Sequence, residues 1–155
     1  MVITKKFTNV STKLRNFWED LSTTDEVVEE IMEANKLWNK TMYGYVDFVK
    51  GLHPEEEPTA EDYAITEDEN IVELLKPFYE GLQEMLSEYD LDGIILKGVV
   101  PIKEKGSFCI AYVFEDVITS TKIYVWYNTE DGILNSTDNY GTMKMEIIKK
   151  EYFVN

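Results

Sequence analysis

One cysteine, one histidine and one arginine are all that the chain offers of three residue types on which much enzyme chemistry depends. A single cysteine excludes an internal disulfide and fits a reducing compartment. Cys109 lies in the middle of an apolar run, whereas His53 stands beside Pro54 in a polar stretch, so a catalytic Cys–His pair is not expected. Buried, inert core filler is the expected role of Cys109. The chain also lacks a glycine-rich phosphate loop, a nucleophile elbow and a zinc-ligand set. Asp90-Leu91-Asp92 is too short for a calcium loop, which needs about a dozen residues with oxygens at set positions. No apolar run approaches the ~20 residues that span a bilayer. Met1 to Lys6 is not followed by the apolar stretch of a signal peptide, and a cytoplasmic protein is expected.

What the chain does have is acid. Thirty Asp and Glu stand against fifteen Lys and Arg, for a net charge of −15, and the excess is concentrated. Residues 1–18 carry four bases and no acids; residues 19–92 carry 22 acids and 4 bases; residues 93–155 carry 8 acids and 7 bases. Such asymmetry bears on partners rather than on fold. At 155 residues and 44% hydrophobic content, the chain is expected to form one domain spanning 1–155 with a real core.

The apolar periodicity divides that domain in two. Residues 11–92 read as mostly helical and acidic. A first short helix is expected over Leu14, Phe17, Trp18 and Leu21. Thr23 and Glu26 form a capping box ahead of a long helix, with Val27, Ile31, Ala34, Trp38, Met42, Tyr45 and Val49 on its apolar side. That helix is expected to end near Lys50, with Gly51 just past it. Thr66 and Glu69 cap another helix through Ile71, Leu74, Leu75, Phe78, Leu82, Met85, Leu86 and Tyr89, in which Pro77 predicts a kink.

From residue 93 onward the period is two, as in strands. Ile94–Val100 reads as a strand ended by Pro101. Phe108–Phe114 and Lys122–Tyr127 follow, then a fragment at Ile133-Leu134, a polar loop from Asn135 to Gly141, and a last strand over Met143–Lys150. Residues 2–10 alternate weakly enough for a short edge strand or a loose arm. The expected fold class is α+β: N-terminal acidic helices packed on a C-terminal antiparallel meander (93–155) of about four strands. Phe108–Phe114 is apolar on both faces and belongs at the sheet's centre. If the helices cover only one face, aromatic residues such as Tyr112, Phe114, Tyr124 and Trp126 become a surface for self-association or a partner.

Two acidic constellations carry functional readings. Glu26, Glu29, Glu30 and Glu33 share a helix face at spacings that can hold Mg²⁺. Within them Glu29-Glu30-Ile31-Met32-Glu33 resembles the EExxE half of the all-α nucleoside-triphosphate pyrophosphohydrolases. That family adds an ExxD pair on a following helix, and Gly44-Tyr45-Val46-Asp47 here lacks its glutamate. The resemblance implies an alternative function, Mg²⁺-dependent nucleotide hydrolysis; a solvated acidic face outweighs it.

The second constellation is Glu55, Glu56, Glu57, Glu61, Asp62, Glu67, Asp68 and Glu69, bracketed at its start by Pro54 and Pro58. A solubilising loop is the plain reading. The sharper one is a docking surface for a basic protein, with carboxylates where a nucleic acid would place phosphates. Direct binding of nucleic acid is not expected, because counterion release requires Lys and Arg on the protein. The sequence thus points to a non-enzymatic, cofactor-free acidic inhibitor or antagonist of a basic nucleic-acid-handling partner. Phage anti-defence and toxin-immunity proteins have such jobs. An assembly protein using its aromatic face is the remaining alternative.

Overall fold

Asp25 and Glu26 place negative charge at the N-terminus of a 28-residue helix, where it favours the helix dipole. In a computed structural model, which describes residues 4–7, 25–52, 69–89, 93–104 and 106–137, that helix is α1, Asp25–Leu52. It continues through Gly51, two residues beyond the expected end. The second helix, α2 (Glu69–Leu86), runs through Pro77. The expected helix at 14–21 and the expected strand at 143–150 lie outside the described residues.

Among the described residues five strands form one sheet: β1 (Thr4–Phe7), β2 (Ile94–Glu104), β3 (Ser107–Asp116), β4 (Lys122–Asn128) and β5 (Ile133–Thr137). Their order is β1-β5-β4-β3-β2. β2 to β5 make the antiparallel meander, while β1 adds to β5 in parallel, with Thr4 opposite Ile133. The α+β reading therefore holds, and the weakly alternating N-terminus is an edge strand.

Two strand limits differ from expectation. β2 does not stop at Pro101 but continues to Glu104. β2 is the edge of the sheet, and Val100 and Ile102, opposite Ala111 and Cys109, flank Pro101 on the other face. At an edge no neighbouring strand asks for the missing proline N–H, so the ladder to β3 survives. Likewise Asn135, Ser136 and Thr137 belong to β5 and are buried, although their polarity reads as loop. Their backbone pairs with β4 on one side, and Asn135 and Ser136 pair with β1 on the other.

The helices pack on one face of the sheet. Val27, Ile31, Trp38 and Met42 of α1 and Leu75, Tyr79 and Leu82 of α2 join Val99, Phe108, Ile110, Tyr112, Phe114, Val125 and Leu134 in one cluster. A bulge between Leu96 and Gly98 puts Leu96 and Val99 on that same face. On the other face Val100, Ile102, Cys109, Ala111, Val113, Tyr124 and Trp126 form a second cluster. Both clusters are buried, so the aromatic side chains proposed above as an exposed surface are core within a single chain.

α1 is tied to β3 by hydrogen bonds as well as by apolar contact. β4 pairs with β3 over Tyr112–Glu115, so among the described residues the first half of β3 has no strand on that edge. Asn35 and Asn39, one helical turn apart, fill that place. Asn35 Oδ1 accepts the Ile110 N–H at 2.7 Å, and Asn39 Oδ1 accepts the Phe108 N–H at 2.7 Å. Asn35 Nδ2 donates back to the Ile31 carbonyl at 2.8 Å, so the buried amide is satisfied at both ends.

Candidate functional site

Because the apolar stripes of α1 and α2 face the sheet, their carboxylates must face away from it. α1 carries six acids against three lysines, and α2 carries four against one. Asp25, Glu26, Glu29, Glu33, Glu73, Glu80 and Glu84 are exposed, and Glu30 is half-buried. The segment from β2 to β5 is close to neutral, with five acids and four lysines. The acidic surface therefore belongs to the helical layer, not to the sheet.

The four glutamates considered for metal do not act as one set. Glu26 Oε2 accepts the Tyr89 hydroxyl proton at 2.7 Å, which ties the start of α1 to the chain beyond α2. That hydrogen bond, with lesser burial and charge effects, raises the Tyr89 pKa. Glu33 pairs with Lys36 at 3.5 Å in the open. Glu30 Oε1 lies toward α2, 3.8 Å from where a Cβ on Gly81 would stand. Among the described residues, no three His, Cys, Asp or Glu side chains converge to hold an ion.

Of the eight acids in the second constellation, Glu69 opens α2; Glu55, Glu56, Glu57, Glu61, Asp62, Glu67 and Asp68 lie outside the described residues, as does His53. Cys109 is buried, as expected. Burial first, and the Glu104 carboxylate second, push its thiol up to about 12, so it is a protonated thiol at neutral pH.

The structure also shows side chains that sequence reasoning passed over. Leu37 is 57% exposed and Leu74 is 37% exposed. Leu37 is out of phase with the stripe of Val27, Ile31, Ala34, Trp38 and Met42, which was a readable sign of a large apolar group on the polar side. Leu74 was expected inside. An opening of about 360 Å³ lies where α2 meets β2, between Leu86, Tyr89 and Ile94–Leu96.

Among the described residues, the buried Trp38 Nε1, Tyr112 Oη and Ser136 Oγ have no hydrogen-bond partner. Tyr112 and Ser136 stand in one row across the sheet, each opposite Val125. Burial, and then the negative charge of Glu30, raise the Tyr112 pKa, keeping the phenol neutral.

No helix among the described residues is long and apolar enough to cross a membrane. No family model matches the chain, and no match was found among curated proteins or solved structures.

Proposed function

We propose that the protein is a non-enzymatic acidic binding protein that docks its helical layer on a basic partner, a nuclease or another nucleic-acid-handling protein, and blocks it. The observation that carries this reading is the segregation of charge: among the described side chains of α1 and α2, seven exposed carboxylates (Asp25, Glu26, Glu29, Glu33, Glu73, Glu80 and Glu84) stand against three lysines, on the side that the core does not use. In the sequence, seven further acids (Glu55, Glu56, Glu57, Glu61, Asp62, Glu67 and Asp68) stand between α1 and α2. Carboxylates in place of phosphates would let the surface compete for a cationic cleft, as expected of an anti-defence or immunity protein. The buried, protonated Cys109 offers no nucleophile to a competing catalytic reading.

The test uses two charge-neutralised variants and the partner recovered from the native host. One variant changes Glu29, Glu33, Glu73, Glu80 and Glu84 to Gln. The other changes Glu55, Glu56, Glu57, Glu61, Glu67 and Glu69 to Gln and Asp62 and Asp68 to Asn. Association should slow by about tenfold or more at low salt in at least one variant, and this difference should shrink near physiological ionic strength, where the Debye length is about 8 Å. The melting temperature should stay or rise as self-repulsion falls. Unchanged association in both variants would overturn the proposal. A stoichiometric Mg²⁺ or Mn²⁺ site of micromolar affinity, found by calorimetry, would move carboxylate–metal chemistry ahead of it.

A further inference from the structure

α1 and α2 do not close on each other along their outer sides. Between them lies an open groove of about 470 Å³, lined by Glu30, Glu33, Ala34, Leu37, Pro77 and Phe78. That volume falls within the range of roughly 300–1,000 Å³ typical of ligand sites. Ala34, Leu37, Pro77 and Phe78 make its lining largely apolar, and Leu74, one turn before Phe78 on α2, is part-exposed. Phe78 is held edge-on against the buried Trp38 ring, with centroids 5.7 Å apart, so this wall is braced by the core.

The polar groups of the groove are all acceptors. Glu30 and Glu33 contribute carboxylates, while Ala34, Leu37, Pro77 and Phe78 contribute no side-chain donor. Pro77 adds to this from the backbone. Having no N–H, it leaves the Glu73 carbonyl without the donor that residue i+4 supplies elsewhere in a helix. Lys36 and Lys76, which neighbour the lining residues Leu37 and Pro77 in sequence, are already turned to acids: Lys36 to Glu33 at 3.5 Å and Lys76 to Glu80 at 3.8 Å. These exposed pairs are weak and can be exchanged for a partner's cation.

An apolar floor with an acceptor-only rim selects an occupant with apolar anchors and flanking cations. From this charge complementarity we infer that the groove between α1 and α2 receives a basic amphipathic helix of the partner, with Leu, Ile or Phe on its inner face and Lys or Arg beside them. This is the mode in which a helix lays its apolar stripe into a groove. The inference rests on the docking function proposed above and names its apolar centre. A second copy of this chain fits the groove poorly, because a net charge of −15 repels its like.

The test uses the full chain and two synthetic peptides of about 16 residues, roughly four helical turns. Both carry the same lysines and arginines. One has leucines at i, i+4 and i+7, and the other has alanines there. By fluorescence anisotropy at low salt the leucine peptide should bind about tenfold more tightly than the alanine peptide, a difference that two partly buried side chains can supply. Leu37→Ser with Leu74→Ser should abolish that preference while leaving the alanine peptide's affinity in place. Both residues are substantially exposed, so the double variant should fold. Glu30→Gln with Glu33→Gln should weaken both peptides. Amide shifts on binding should centre on Ala34–Leu37 and Phe78. If the double leucine variant keeps the preference, the groove assignment falls and the acidic docking reading stands. If neither peptide binds the parent chain at low salt, both fall. A dimer in sedimentation that Leu37→Ser dissolves would give the groove to a second copy and overturn the inference.

Discussion

β3 and α1 lie against each other, yet they treat charge in opposite ways. Nine of the ten residues of β3 are buried, and neither of its two acids is free: Glu115 pairs with Lys97 at 3.7 Å, and buried Asp116 is used locally, its Oδ1 accepting the N–H groups of Ile118 and Thr119 to shape the turn into β4. α1 buries Val27, Ile31, Trp38 and Met42 but holds Asp25, Glu26, Glu29 and Glu33 in solvent. An inner strand, as β3 is between β4 and β2, has two faces to bury and no room for free charge, whereas a surface helix has a side that the core never sees. Charge on that side is decoupled from folding and can be set by what the protein must meet.

This contrast breaks most visibly at Phe114, which is fully buried on the helix-facing side of β3. Phe114→Ala should cost about 3–5 kcal/mol in denaturant unfolding, the price of the lost side chain and the cavity it leaves. A loss under about 1 kcal/mol, that of an ordinary surface substitution, would mean that β3 is not the centre of the fold.

The next effect lies at the junction itself. Asn35→Leu removes the acceptor of the Ile110 N–H on an edge that no strand covers among the described residues. It should destabilise by about 1–3 kcal/mol, the desolvation cost of an unsatisfied buried donor. Asn39→Leu should cost less, because its site is only part-buried and water can take over. Equal small losses for both would show that the asparagines are incidental to the docking of α1.

Cys109 sharpens the comparison on the sheet's other face. Its thiol pKa stands at about 12 in the folded chain against an ordinary value of 9.0. Above pH 9 the unfolded chain releases this proton while the folded chain retains it, so stability falls as pH rises toward 12. The slope from this group approaches 1.4 kcal/mol per pH unit, roughly the worth of one pKa unit. Denaturant titrations at pH 8 and pH 10 should show a smaller drop for Cys109→Ala than for the parent. A thiol reagent should label the protein only after unfolding.

The smallest effect should be a gain. Tyr112 buries a hydroxyl with no partner, near the negative charge of Glu30. Tyr112→Phe removes that desolvated group at almost constant shape and should stabilise by up to about 1 kcal/mol. A loss of similar size would reveal that the hydroxyl is satisfied by water.

Much of this architecture was legible because it is local. The 3.6-residue stripe of α1, the capping acids, the alternation of Phe108–Phe114 and the turn at Glu130–Gly132 all arise from residues a few positions apart. The acidic character of the helical side was legible for the same reason. The groove was not: Leu37 signals it only weakly, and its other wall, Pro77 and Phe78, is forty residues away along the chain.

By itself, then, the sequence determined the two helices, the strand-forming segment, the burial of Cys109 and the side on which the acid accumulates, since each follows from periodicity and side-chain chemistry. Only the tertiary structure decided that β1 pairs in parallel with β5, that β2 runs on through Pro101, that Asn135–Thr137 is a buried strand, and that Asn35 and Asn39 take the Ile110 and Phe108 N–H groups of β3. In each of these, a backbone group's partner, or its freedom from needing one, is set by a neighbour distant in sequence. A polar residue or a proline breaks a strand only where that neighbour requires what the residue cannot give.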